Sequence, residues 1–185
     1  MVAVVKELTQ GRGPFIITYT GHQFHFLDPQ PHDITLKDIA HALSQICRYT
    51  GHSRRFYSVA EHSVYVSALC ENHLEGLLHD ASEAYLSDIS SPLKMLLPEY
   101  KKLQHSIEAA ISKKFGIPFP FSENLKDVDT AQLKTEARNL LSDHSWVNNY
   151  PTKRKYGIIP ACLPPKEAEE LFIRTFGQLK NECFS

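Results

Sequence analysis

Hydrophobic and polar positions along the chain follow two periods, the shorter one first. From Phe15 to Leu27 the order FIITYTGHQFHFL alternates bulky and polar side chains around Thr20-Gly21, which predicts a short β-hairpin. DPQPHD then reads as a turn-rich connector. Beyond it the period is helical. Ile34, Asp38, Ile39, Ala42, Leu43 and Ile46 share one face of a first helix, with Asp33 as N-cap and an end near Arg48. TGHSRRFYS predicts a loop, and SVAEHSVYVSALC a second helix with Ser58 as N-cap and Glu61 in the capping-box position. ENH is a tight break before a third helix from about Leu74 to Tyr85, and Pro92 in SSPLK closes the next short segment. Leu103, Ile107, Ile111 and Phe115 recur every fourth residue as a core-facing stripe that Gly116 ends. After the loop PFPFSEN, LKDVDTAQLKTEARNLLSD predicts a fifth helix, and HSWVNNYPTKRKYGIIPACLPP an irregular stretch. Pro165 opens a last helix with Ala168, Leu171, Phe172, Phe176 and Leu179 on one face. The expected fold class is all-α, a helical bundle with a small N-terminal β-hairpin. No repeat, low-complexity tract or linker divides it, so residues 1–185 are expected to form one domain.

Charge narrows the partners. With 20 basic against 21 acidic residues the net charge is -1, which gives no general pull toward nucleic acid or an anionic membrane and favours a small ligand. The run KRK at Lys153 to Lys155 is too short to change that and reads as a solvated loop. Cys47, Cys70, Cys162 and Cys183 lie far apart with no C-x-x-C pair, so reduced thiols in a cytoplasm are the expectation. MVAVVKELTQ has too short an apolar run for a signal peptide, and no stretch approaches the roughly 20 apolar residues needed to span a bilayer.

The segment LLHDASEAYLSD, Leu77 to Asp88, sets His79, Asp80, Glu83 and Asp88 among apolar helix formers, although each is expensive to desolvate. On a helix, residues three and four apart share a face, so Glu83 lies over Asp80 and His79. An imidazole beside a carboxylate suits a divalent metal ion. The ENH break folds the two helices back on each other and carries His62 toward His79. Asp129, in KDVDT on a later helix, is the fourth candidate, with Asp127 competing for the place. Two His and two Asp leave positions open for water and a substrate oxygen, as hydrolysis requires, and Glu83 is then free to handle protons. The remaining histidines, His22, His25, His32, His41, His52, His73, His105 and His144, read as non-ligands. A zinc metalloprotease is excluded because no second His stands four residues after His79.

The order His62, His79-Asp80, Asp129 resembles the HD-domain metal-dependent phosphohydrolases. HDASEAYLSDISSPLK is similar to the segment of bacterial 5'-deoxynucleotidases and of compact phage-type relatives that include dATP triphosphohydrolases; DIAHALSQICRYTGHSRRFYSVAEHS extends the match upstream. The resemblance implies an HD-domain helical bundle and one divalent metal ion (Zn, Co, Mn or Mg) held by His62, His79, Asp80 and Asp129. It selects Asp129 over Asp127. It further implies Glu83 as the residue that positions or deprotonates the attacking water, Asp88 as a second acidic group near the leaving oxygen or sugar, and Arg48 and Lys94 as nucleotide and phosphate contacts. Tyr49 stands where the bacterial enzymes carry tryptophan, and His62 and His79 lie closer in sequence than they do there. The expected activity is hydrolysis of a deoxynucleotide, a dATP or dNTP triphosphohydrolase first and a 5'-deoxynucleotidase second. A regulatory module that binds nucleotide without turnover is the alternative from another class. A triphosphate needs more cations, which Arg54 and Arg55 in the loop before the second helix could supply. Relatives of this kind commonly assemble as homo-oligomers.

Overall fold

The computed structural model describes residues 11–182, so MVAVVKELTQ and Cys183 lie outside the described residues. Strand β1 (Phe15–Ile17) pairs antiparallel with β2 (Gln23–His25), with Ile16 opposite Phe24. The turn between them depends on Gly21 at φ +87, a left-handed conformation that side-chain-bearing residues rarely adopt. The hairpin is anchored by Phe24, fully buried and stacked on Tyr85 with ring centroids 3.8 Å apart.

Helix α1 (Leu36–Gln45) is capped by Thr35, whose side chain accepts from the Asp38 N–H, and not by Asp33. Pro31 starts a separate 3-10 turn that ends at Asp33, and the Asp33 carboxylate pairs with Arg12. Helix α2 (Val59–Leu69) begins at Ser58 as expected, with Ser58 Oγ accepting from the Glu61 N–H at 3.1 Å. The capping box does not close, because the buried Glu61 carboxylate accepts instead from the backbone N–H groups of Ala161, Cys162 and Leu163 at 2.8, 2.9 and 2.8 Å.

Helix α3 (His73–Leu78) folds back on α2 after a break capped by Asn72. The approach is close enough to require Gly76, where a Cβ would come within 2.9 Å of Ser67 Cα. The continuous helix expected from Leu74 to Tyr85 is interrupted: α4 covers only Glu83–Leu86, and across the gap Ala81 N–H donates to Leu78 O and Glu83 N–H to Asp80 O. These tighter i to i-3 bonds have a local cause. The His79 ring donates from Nδ1 to Gly76 O, the carbonyl that the Asp80 N–H would take in a continuing α-helix.

Pro92 lies at the start of a single helical turn, α5 (Ser91–Lys94), where its missing N–H does no harm, and so opens this segment where it was expected to close one. Helix α6 (Pro98–Phe115) buries Ile107, Ile111 and Phe115 and ends at Gly116 in the left-handed conformation; Leu103 is only partly buried. Helix α7 (Glu123–Leu140) is capped by Ser122, and α8 (Pro165–Glu182) returns to pack Ala168 and Phe172 against α1 and α2. Contacts with α1, α3, α7 and α8 surround α2, which is why its buried residues include polar as well as apolar ones. Among the described residues, no helix is long and apolar enough to cross a membrane.

Candidate metal centre

His62, carried in by the enclosed helix α2, meets His79 at the broken end of α3. Their Nε2 atoms are 3.3 Å apart. Asp129, from α7, places Oδ1 3.1 Å from His62 Nε2 and 3.9 Å from His79 Nε2; Asp80 places Oδ2 3.5 and 3.2 Å from the same two atoms. Among the described residues, His62, His79 and Asp129 form a group whose ligand atoms lie close enough to hold one metal ion, and Asp80 reaches both imidazoles beside it. The other ring nitrogens face acceptors: His62 Nδ1 lies 2.7 Å from Glu136 Oε1, and His79 Nδ1 2.7 Å from Gly76 O. Those bonds make Nδ1 the donor in each ring and direct both Nε2 atoms at the shared point, the orientation that metal ligation requires. Two nitrogens and carboxylate oxygens are a donor set suited to a divalent cation of borderline hardness, so these residues fit such an ion.

Asp127, the competing aspartate, is occupied elsewhere. Its carboxylate accepts from Lys153 N–H at 2.6 Å and Thr152 Oγ1 at 3.0 Å, fixing the irregular stretch after α7. Helical geometry explains the division, since residues two apart on α7 point to different sides.

Glu136 is the group that sequence reasoning missed. Fully buried two turns after Asp129 on α7, it accepts from Tyr57 OH at 2.8 Å and Arg48 Nε at 3.1 Å besides His62, and Tyr49 OH lies 3.2 Å away. Burial alone would raise its pKa, but the Arg48 and His62 charges outweigh burial and hold it at about 2. Burial and Arg48 likewise oppose protonation of His62, and Glu136 and Asp129 overcome them, raising it to about 10, so a cation binding at Nε2 would displace a proton there. Tyr49 and Thr50 follow Arg48 at φ +57 and +53, a strained pair held by the Tyr49 hydroxyl beside Glu136 and the Leu133 carbonyl.

A cleft of about 430 Å³ opens over this centre, and Arg48, Tyr49, Asp80, Glu83, Asp88, Lys94 and Asp129 all line it. Glu83 is 3% exposed; its Oε1 accepts from Lys94 Nζ at 2.8 Å while its Oε2 is buried with no hydrogen-bond partner among the described residues. Burial, with the charges of Asp80 and Asp88, pushes the Glu83 carboxyl well above the usual range, and burial also raises Asp88. Arg54 and Arg55 are exposed and do not line the cleft, so the extra cations expected for a triphosphate are not brought to it. Of the histidines read as non-ligands, His25 faces Gly13 O, His41 pairs with Glu169 and His73 faces Ser67 O.

Fold and site together define a predominantly helical protein with a His/His/Asp group, its two histidines buried and its aspartate half-exposed, that could hold a metal ion. No protein-family model matches the chain. It is 42% identical over 171 residues to the uncharacterized protein YfdR of Escherichia coli (strain K12), covering 89% of this chain and 95% of that one. It is also 34% identical over 137 residues to the uncharacterized protein RCAP_rcc00048 of Rhodobacter capsulatus, covering 65% and 70%. The chain belongs to the YfdR family.

Proposed function

We propose that the protein is a divalent-metal-dependent phosphohydrolase of the HD-domain kind, acting on deoxynucleotides, with the 5'-monophosphates as its favoured substrates. The observation that carries this reading is the convergence of His62, His79, Asp80 and Asp129 beneath the cleft, both Nε2 atoms directed at one point and both Nδ1 atoms engaged. An ion held there supplies Lewis acidity to a phosphoryl oxygen and makes hydroxide available near neutral pH. Arg48 and Lys94 offset charge on the phosphate oxygens. Glu83 moves the proton: a carboxyl with a raised pKa accepts one from water more readily than an ordinary carboxylate and can return it to the leaving oxygen.

The monophosphate is preferred to the triphosphate on cation supply. Arg48 and Lys94 are the cations of the cleft lining, each already facing a carboxylate, while Arg54 and Arg55 lie outside it. Glu83 also favours an enzyme over a binding module, since a buried carboxyl oxygen without a partner is expensive and binding alone has no use for it.

The test reloads metal-stripped protein with Co²⁺, Mn²⁺ or Zn²⁺, supplies all four dNMPs and all four dNTPs, and resolves products by chromatography beside Glu83→Ala. Orthophosphate and deoxynucleoside from the monophosphates, dependent on metal and on Glu83, are expected. Tripolyphosphate from dATP would move the activity to a triphosphohydrolase. Nucleotide binding without turnover would leave the regulatory module.

A further inference from the structure

The cleft has an end that the phosphate chemistry does not use. From Asp129, α7 rises one turn, about 6 Å, to Leu133. Beyond it, the 3-10 turn Ser145–Asn149 brings Trp146 and the adjoining Tyr150 to the same cleft. Leu133, Trp146 and Tyr150 carry no charge, whereas the metal end is lined by four carboxylates and two cations. The two rings meet edge to face, with centroids 5.7 Å apart at 83°, so ring faces stay free that a parallel stack would cover. Both residues are tied down: Trp146 Nε1 donates to Asp143 O at 3.3 Å and Lys134 Nζ donates to Tyr150 O at 2.7 Å. Neither is buried, and Tyr150 is 39% exposed. Fixed aromatic surface left wet at one end of a polar cleft matches a planar ligand group that stacks on it.

We infer that Trp146 and Tyr150 form a stacking platform for a nucleobase, so that the phosphate at the metal end belongs to a nucleotide whose base lies on these rings. The choice of ligand rests on the nucleotide reading above. Stacking uses the π-face that every base has, and no charged group at this end reads a base edge. Adenine, guanine, cytosine and thymine nucleotides are therefore bound with affinities within a few-fold of one another.

Trp146 is the chain's one tryptophan, so its fluorescence reports the platform directly. The full chain carrying Glu83→Gln to suppress turnover is titrated in Mg²⁺ with dAMP, dCMP and 2-deoxyribose 5-phosphate, with calorimetry in parallel. Both nucleotides are expected to quench and the sugar phosphate is not. Tyr150→Leu should weaken nucleotide binding about tenfold, the size of one lost stacking contact, while Tyr150→Phe restores it and neither changes the affinity for the sugar phosphate. Equal quenching by the sugar phosphate, nucleotide binding without a fluorescence change, or no nucleotide binding at all overturns the inference. Quenching by both nucleotides but not by the sugar phosphate, in a protein whose wild type turns nothing over, would retire the hydrolase and keep the platform. Turnover of nucleotides with equal quenching by the sugar phosphate would do the reverse.

Discussion

Replacing Glu136 by glutamine tests the centre where its parts are most tightly joined. The side chain keeps its shape, but one carboxylate serving His62, Arg48, Tyr57 and Tyr49 becomes a neutral amide with half the acceptor capacity. A carboxyl held at about 2 against an ordinary 4.5 corresponds to about 3 kcal/mol of preference for the charged form at neutral pH. Arg48 would keep only Asp80, at 3.5 Å, which agrees with the roughly 3–5 kcal/mol lost when one partner of a buried ion pair is removed. Urea unfolding at pH 7 should therefore show Glu136→Gln less stable by about 3 kcal/mol. Because the folded value lies below the ordinary one, this contribution is complete above pH 4.5 and disappears as pH falls toward about 2, so the two proteins should converge in acid. Metal affinity, measured by competition with a chelator, should fall roughly 10–100-fold as His62 loses its orienting partner. A variant within about 1 kcal/mol of wild type at pH 7, with unchanged metal affinity, would refute the assignment of Glu136 as the organiser of the site.

The two aspartates of KDVDT should separate cleanly. Asp129→Asn is expected to abolish stoichiometric metal uptake by elemental analysis while Asp127→Asn retains it, and the opposite pattern would exclude the geometry described above. Glu61→Ala leaves three N–H groups of the 161–163 backbone without their acceptor, a loss of about 3 kcal/mol or more. Limited proteolysis should then cut between 151 and 164 faster than in wild type, and unchanged cleavage would mean that the clamp is dispensable. Asp38, whose pKa is lowered because bonds from Thr35 and Thr20 outweigh burial, stabilises the hairpin junction above the ordinary carboxylate range and loses that effect as the pH falls through its folded value. Asp38→Asn should lower Tm at pH 7 and matter little in acid; an equal loss at both would show that the charge plays no part.

The elements legible from sequence were those where one local rule suffices. Ser58, the alternation before Gly21 and the stripe ending at Gly116 each depend on neighbours a few residues away, and each was read correctly. Errors arose where a tertiary partner changed the local preference. The run of Leu, Ala and Glu from Leu74 to Tyr85 could not reveal that the His79 ring would bond the Gly76 carbonyl where the helix breaks. Glu61 matches a capping box, yet an irregular segment about 100 residues later needs acceptors for its backbone and takes them. The same demand explains Gln132 and Thr135, polar and buried on α7, which serve Ile158 and Gly157. His62, His79 and Asp80 stand out because their residue types are rare in such surroundings and Asp129 is separated from Asp127 only by the family resemblance, whereas Glu136 in TEARN has the composition of any solvated helix face.

The position of Glu136 also accounts for how so precise a centre is built from segments so far apart. Asp129 and Glu136 stand seven residues apart on α7, two helical turns, so they project from the same side of one rigid element. His62 lies between their reach, bonded through Nδ1 to one and facing the other through Nε2. A shift of α7 along its axis would break both contacts at once, which couples the orientation of the imidazole to the placement of the Asp129 carboxylate. Arg48 extends that coupling to the opposite wall of the cleft, because it bridges Glu136 and Asp80. The site is thus held in register by one buried carboxylate and one arginine, neither of which belongs to the His62, His79 and Asp129 group.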